Sequence, residues 1–109
     1  MDKKTQTKLI SGNAFKIFRV ELDRYRKGFE EFLKLGGSQD PAMLKKFSAS
    51  FHTIRGGAGF FGLDDIATFA GTLEDLLGSP SFDLKKDLPE AQEVFSRLTS
   101  SAAKILEEA

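Results

Sequence analysis

The first third of the chain carries a regular stripe of large apolar side chains, and this stripe limits the possible folds more than any other feature. From residue 15 onward these side chains recur at alternating spacings of three and four, the period of one face of an α-helix. Asn13 is a good N-cap residue, so we predict a helix over about 13–35. Its apolar face consists of Phe15, Phe18, Leu22, Tyr25, Phe29 and Phe32.

A second helix is predicted over about 41–59. Asp40 is a favourable N-cap residue, and Pro41 suits the first helical position because the N–H that it lacks would have no partner there. The apolar face of this helix is Leu44, Phe47, Phe51, Ile54 and Ala58, with Phe61 just beyond it.

Two more amphipathic segments follow. Asp64 or Asp65 predicts the start of a third helix over about 64–78, and Pro89, after a polar connector, predicts a fourth over about 88–108. Their apolar faces are Ile66, Phe69, Leu73, Leu76 and Leu77, and then Ala91, Val94, Phe95, Leu98, Ala102 and Ile105.

These segments together predict the fold class. No stretch of the sequence alternates in the way that a half-buried β-strand does. Four amphipathic helices with short connections predict an all-α, antiparallel up-down-up-down four-helix bundle over 13–109. Residues 1–12 are predicted to form a polar tail or a short extra turn. The length of 109 residues fits one domain.

Composition argues against several kinds of function. The 16 basic and 16 acidic residues give no net charge, which disfavours nucleic acid or an anionic membrane as the main partner. With one histidine and no cysteine, we expect no metal site. The first residues are polar, so we expect no signal peptide, and no apolar run reaches ~18 residues. Since the lack of cysteine also suits a reducing compartment, we expect a cytoplasmic location.

The only histidine of the chain lies in the segment "FHTIRGGAGFFG". On a helical wheel His52 falls about 130° from the centre of the apolar face of the second helix. It should therefore face solvent, with small residues around it and Lys45 two turns earlier on the same side. One interpretation is an incidental surface histidine. The other is a reactive imidazole.

The glycines after His52 favour the second interpretation. Each glycine inside a helix costs ~1 kcal/mol relative to alanine. Gly56 falls on the histidine face, where it cannot help core packing but would let another protein's backbone approach the ring. Gly57 and Gly59 are expected to let neighbouring helices approach, and Gly62 to form the turn into the third helix.

An exposed imidazole suits nucleophilic chemistry, because its neutral form has a free nitrogen lone pair near physiological pH. Arg55, one turn later, offers charge-assisted hydrogen bonds to anionic oxygens. The sequence has no Walker-type motif and no serine or cysteine nucleophile with a paired base. An autonomous enzyme is therefore not expected.

The segment "FHTIRGGAGFFGL" resembles the signature of histidine-containing phosphotransfer (HPt) domains, roughly H-x-x-K/R-G-x-A-x-x-x-G. It is most similar to the N-terminal phosphotransfer domain of CheA-type chemotaxis kinases, in which this segment reads much like H-S-I-K-G-G-A-G-x-F-G. The match continues into "LDDIATFAGTLEDLL", which resembles the third helix of that family. The strong part of this resemblance covers residues 47–77, approximately.

The resemblance implies specific roles. His52 would carry a phosphoryl group on its outer ring nitrogen, Arg55 would help neutralise the phosphoryl oxygens, and Gly56 would leave room for a partner. Glu74 occupies the position of the glutamate that holds the other ring nitrogen in the CheA-like group. The partners would be response-regulator receiver domains and a histidine kinase catalytic domain. No cofactor is implied apart from the phosphoryl group.

A docking surface is also predicted around His52. It comprises Lys45, Ser48, Ala49, Gly56 and Gly59, whereas Phe60 and Phe61 are assigned to packing within the bundle.

Two positions depart from the family pattern. Arg55 replaces the commoner lysine, and Gly71 stands where relatives often have histidine.

Two alternatives to a phosphorelay carrier remain open at this stage. The chain would otherwise be a module that docks receivers without carrying phosphate, or an unrelated structural four-helix bundle. Either a free-standing protein or a domain of a larger kinase fits the sequence. The sequence does not identify the cognate kinase, the receiver or the pathway.

Overall fold

The computed structural model describes the backbone of residues 3–107 and the side chains of 12–106. These residues form four α-helices and no β-strand, so the prediction of an all-α four-helix bundle is confirmed. The helices are α1 (Lys3–Lys34), α2 (Pro41–Phe60), α3 (Asp64–Gly78) and α4 (Leu84–Glu107). No helix in this part of the chain is both long enough and apolar enough to span a bilayer.

The start of α1 differs from the prediction. The helix begins at Lys3, so Asn13 lies inside it rather than at its N-cap, and residues 3–12 are helical rather than a tail or a short turn. The reason is that these residues are mostly good or neutral helix formers. The single glycine among them, Gly12, costs only ~1 kcal/mol, which is too little to end a helix.

The start of α4 also differs, because an aspartate pair caps the helix before Pro89. The backbone N–H of Asp83 donates to Oδ2 of Asp87 at 2.8 Å, and the N–H of Lys85 donates to Oδ1 of Asp83 at 3.3 Å. This reciprocal capping satisfies N–H groups that a helix start leaves without partners. Pro89 therefore lies within the helix, not at its first turn.

Gln39 ties the α1–α2 connection to the α3–α4 connection. Its Nε2 donates to the carbonyl of Phe82 at 2.8 Å, and its Oε1 accepts from the N–H of Leu84, also at 2.8 Å. Both connections therefore lie at the same end of the bundle, as alternating helix directions require.

Phenylalanine rings fill the centre of the bundle. Phe29 of α1 is fully buried and makes edge-on contacts with Phe47, Phe51 and Phe95, with ring centroids 5.0–5.3 Å apart. Such edge-to-face pairs add ~0.5–1.5 kcal/mol each to the benefit of burying the rings. These contacts join α1, α2 and α4, so the core fixes which face of α2 points inward.

Close packing of α1 on α2 depends on Gly57, as predicted. A Cβ atom at this position would lie 2.7 Å from Cε1 of Phe18 and closer still to Cδ1. The expectation for Gly59 is wrong, because a Cβ there would meet nothing within 4 Å. Gly62 has a φ of 73° and forms the turn between α2 and α3.

Candidate functional site

The site lies at the seam between α2 and α3. Phe51 and Ile54 are each 1% exposed, and their burial sets the rotation of α2 about its axis. That rotation directs His52 outward, with 72% of its side chain exposed. The imidazole is therefore a surface group held on a helix whose opposite face is fixed in the core.

Glu74 of α3 holds the inner edge of the imidazole. Its Oε2 lies 2.7 Å from Nδ1 of His52, and only 19% of its side chain is exposed. Burial of Leu73 and Leu77 in the core fixes the α3 face from which Glu74 projects. Since a carboxylate oxygen only accepts, a neutral ring in this geometry carries its proton on Nδ1, and this N–H donates a hydrogen bond to Glu74. Nε2, at the outer edge, keeps its lone pair.

Arg55 contacts the same carboxylate. One terminal nitrogen of its guanidinium lies 3.0 Å from Oε1 of Glu74, so the two carboxylate oxygens take two different partners. Arg55 is 53% exposed and does not depend on the core for its position. The prediction brought His52, Arg55 and Glu74 together, but it directed Arg55 towards phosphoryl oxygens, whereas here it contacts Glu74.

Gly71 makes room for the arginine stem. A Cβ at this position would lie 3.3 Å from Cδ of Arg55, tighter than an ordinary van der Waals contact. The larger basic residue at position 55 and the smallest residue at position 71 are therefore neighbours in space. The two departures from the family pattern form one local arrangement.

The surface beside the ring is low and open. Ala49, Gly56 and Gly59 are exposed, and a Cβ at either glycine would meet nothing within 4 Å. Lys45 is exposed as well, nearer to the start of α2. Another protein can therefore approach Nε2 without displacing a side chain at these glycines.

Ser48 has a different position from the one expected of a docking residue. It is half-buried, and its hydroxyl donates across the seam to the backbone carbonyl of Glu74 at 2.9 Å.

Sequence reasoning missed Phe60. We assigned it to packing, yet 65% of it is exposed, whereas Phe61 is half-buried, with its ring centroid 5.0 Å from that of Phe15 and 5.6 Å from that of Phe18. The helical wheel of α2 could have indicated this exposure, because Phe60 falls on the outward side near Gly56.

The groups at the seam suit nucleophilic phosphoryl chemistry. Within residues whose side chains are described, no three histidine, cysteine, aspartate or glutamate residues are grouped to hold a metal ion. What the seam does offer is one exposed lone pair, one anchoring carboxylate and one guanidinium.

Comparison with known proteins shows the family of this chain. A protein-family model described as the Hpt domain matches residues 14–108. Chemotaxis protein CheA of Rhizobium meliloti (strain 1021) is 36% identical over 78 residues, which cover 64% of this chain and 10% of that protein. This chain thus corresponds to a small part of that relative. No solved structure matches significantly. The chain belongs to the Hpt domain family, the phosphotransfer carriers of two-component signalling.

Proposed function

We propose that this chain accepts and donates a phosphoryl group on Nε2 of His52. One observation carries the proposal: Nδ1 is held by Glu74 at 2.7 Å while 72% of the side chain remains exposed. A ring held at its inner edge presents its outer lone pair in a fixed direction. Fixed orientation of a nucleophile is a large source of rate in phosphoryl transfer, where the protein mainly positions groups and stabilises charge.

The transfer needs no further residue of this chain as a base. The Nε2 lone pair attacks the phosphorus of an aspartyl phosphate, the N–P bond forms, and the P–O bond to the aspartate breaks. The aspartate leaves as a carboxylate. The ring keeps its Nδ1 proton, and Glu74 stabilises the positive charge that develops on the imidazole as the bond forms. The reverse reaction returns the phosphoryl group by the same route.

Arg55 is proposed to turn from Glu74 to the phosphoryl oxygens once the N–P bond has formed. Its guanidinium is already one helical turn from His52, and it is 53% exposed, so the side chain has room to move. Guanidinium groups match the geometry of phosphoryl oxygens with paired hydrogen bonds. Arg55 thus contributes to charge stabilisation rather than to attack.

The proposed partners are receiver domains with a phosphorylatable aspartate and the catalytic domain of a histidine kinase. Both would approach the exposed side of α2 that contains Lys45, Ala49, Gly56 and Gly59. Phe60 extends this side with an exposed aromatic ring, a residue type enriched at protein interfaces. Partners of this kind act in the cytoplasm, which is the location we propose.

A labelling assay tests the proposal. The chain is incubated with a CheA-type kinase core and radiolabelled ATP, and separately with a phosphorylated receiver. We expect label that is labile in acid and stable in base, as a phosphoramidate on histidine is. Base-labile label, or none from either donor, would contradict the proposal. Binding of a receiver without any label would instead favour a docking module that carries no phosphate.

Gly56→Leu is expected to slow transfer to a receiver by about tenfold or more, because a side chain here would stand between the partner's backbone and the ring. The free energy of unfolding should not fall, since a Cβ at this position meets nothing within 4 Å and leucine is a better helix former than glycine. Single-turnover transfer and urea unfolding measure the two effects.

The matched control is Gly12→Leu, which places the same side chain at another open helical glycine. It should leave the transfer rate unchanged. Equal rates for Gly56→Leu and Gly12→Leu would mean that partners do not approach across Gly56.

A further inference from the structure

Ser48 makes a hydrogen bond unlike those of the other helical hydroxyl groups near the site. The hydroxyls of Ser50, Thr53 and Thr72 each donate to the carbonyl four residues earlier in the same helix. This is the usual local bond of serine and threonine in helices. Ser48 instead donates to the carbonyl of Glu74 in α3, at 2.9 Å.

Gly78 makes this crossing possible. A Cβ at position 78 would lie 2.8 Å from Oγ of Ser48 and 3.6 Å from its Cβ. A side chain there would push the hydroxyl away. In a regular helix, the residue whose N–H donates to the carbonyl of Glu74 is also Gly78. The hydroxyl thus lies against the last turn of α3 at the carbonyl of the residue that holds the imidazole.

We infer that Ser48 is a positioning residue for the phosphoryl-accepting histidine, and that its hydroxyl fits at the seam because residue 78 is glycine. Its hydrogen bond fixes the backbone of Glu74 relative to α2, and so fixes how the carboxylate meets Nδ1 of His52. Ser48 lies one turn before His52 on α2, so one helix anchors both the ring and the backbone of the group that holds it. This inference rests on the proposed role of His52 but concerns the unphosphorylated chain.

The tautomer of His52 reports this positioning directly. The chain has one histidine, so ¹⁵N-labelled histidine gives one pair of ring signals, whose shifts measure the balance between Nδ1–H and Nε2–H. Ser48→Ala is expected to shift this balance about fivefold towards Nε2–H, the effect of losing one hydrogen bond of ~1 kcal/mol. Glu74→Gln removes the carboxylate charge beside Nδ1, so it should shift the tautomer balance in the same direction and serves as a reference. Transfer to a receiver should slow by a similar factor.

Two further variants make the test specific. Ser50→Ala removes a hydroxyl from the same helix that bonds only within α2, and it should change neither the tautomer nor the rate. Gly78→Ala should act like Ser48→Ala, because its methyl group displaces the hydroxyl. In the Ser48→Ala background, Gly78→Ala should have no further effect, since no hydroxyl is left to displace.

The outcomes separate this inference from the proposed function. If the tautomer balance of His52 is the same in Ser48→Ala as in Ser50→Ala, the positioning role is overturned. Fully additive effects of Ser48→Ala and Gly78→Ala would overturn it as well. Circular dichroism confirms that each variant is folded. If the tautomer shifts as expected but His52 never accepts label, the proposed function fails while the positioning contact stands.

Discussion

His52→Gln is expected to abolish labelling of this chain by both a kinase core with ATP and a phosphorylated receiver. Glutamine has no nucleophilic nitrogen, because the lone pair of its amide is delocalised into the carbonyl group. No other histidine exists in the sequence to take over. The loss should therefore be complete rather than partial.

The same substitution should leave the fold intact. The His52 side chain is 72% exposed, and glutamine is a good helix former, so the free energy of unfolding should change by less than ~1 kcal/mol. Glu74 keeps its contact with Arg55, so the carboxylate is not left without a partner.

Labelling and thermal unfolding are measured side by side, with Ser100→Gln on the exposed side of α4 as the matched control. The control should label like wild type. Residual acid-labile, base-stable label on His52→Gln would show that a group other than His52 accepts the phosphoryl group, which contradicts the proposal.

Gly57→Ala is expected to lower the free energy of unfolding, whereas the same change at the open helical glycines Gly56 and Gly59 should not. The added methyl group would lie 2.7 Å from Cε1 of the buried Phe18, and closer to Cδ1, so α1 must move away from α2 or the ring must leave its place. Overpacking of this kind costs ~1–3 kcal/mol, and the ~1 kcal/mol that alanine gains in helix propensity offsets part of it, so the net loss should be up to ~2 kcal/mol.

Gly56→Ala is the matched control, because it makes the same chemical change one residue earlier, where nothing lies within 4 Å. It should raise the free energy of unfolding by ~0.5–1 kcal/mol through helix propensity alone. Urea denaturation of both variants measures the contrast. If Gly57→Ala proves as stable as Gly56→Ala, α1 does not pack on α2 as described.

The sequence predicted much of this fold because the apolar spacing and the core serve the same physical requirement. Phe29, Phe51 and Leu73 fall on predicted apolar faces and are at most 1% exposed. The same periodicity, extended to the polar side of α2, correctly predicted that His52 is exposed to solvent. Periodicity says which way a side chain points, and that is enough for a core and for an exposed nucleophile.

Periodicity does not say where helices begin. Asn13 has the chemistry of an N-cap, but nothing before it stops the helix, so its side chain is simply exposed on α1. Pro89 looked like a first helical residue, but the reciprocal hydrogen bonds of Asp83 and Asp87 start α4 earlier. A cap made by two side chains competes with the proline signal, and the geometry of both must be known to decide between them.

Contacts across the seam were the hardest part of the site to predict. The resemblance pointed to Glu74, whereas no rule of spacing led to the pairing of Ser48 with Gly78 or of Arg55 with Gly71. These pairs depend on how far apart α2 and α3 lie, a distance set by the whole core. A hydroxyl on a helix bonds by default within its own helix, so its sequence position alone does not reveal a crossing bond.

Glu74 is proposed to hold one nitrogen of the His52 ring so that the other accepts phosphorus. The most direct measurement is the site of phosphorylation within the imidazole, read by ¹⁵N and ³¹P NMR of the phosphorylated chain with labelled histidine. We expect phosphorus on Nε2 with Nδ1 still protonated. Phosphorus on Nδ1, the nitrogen now 2.7 Å from the Glu74 carboxylate, would contradict it.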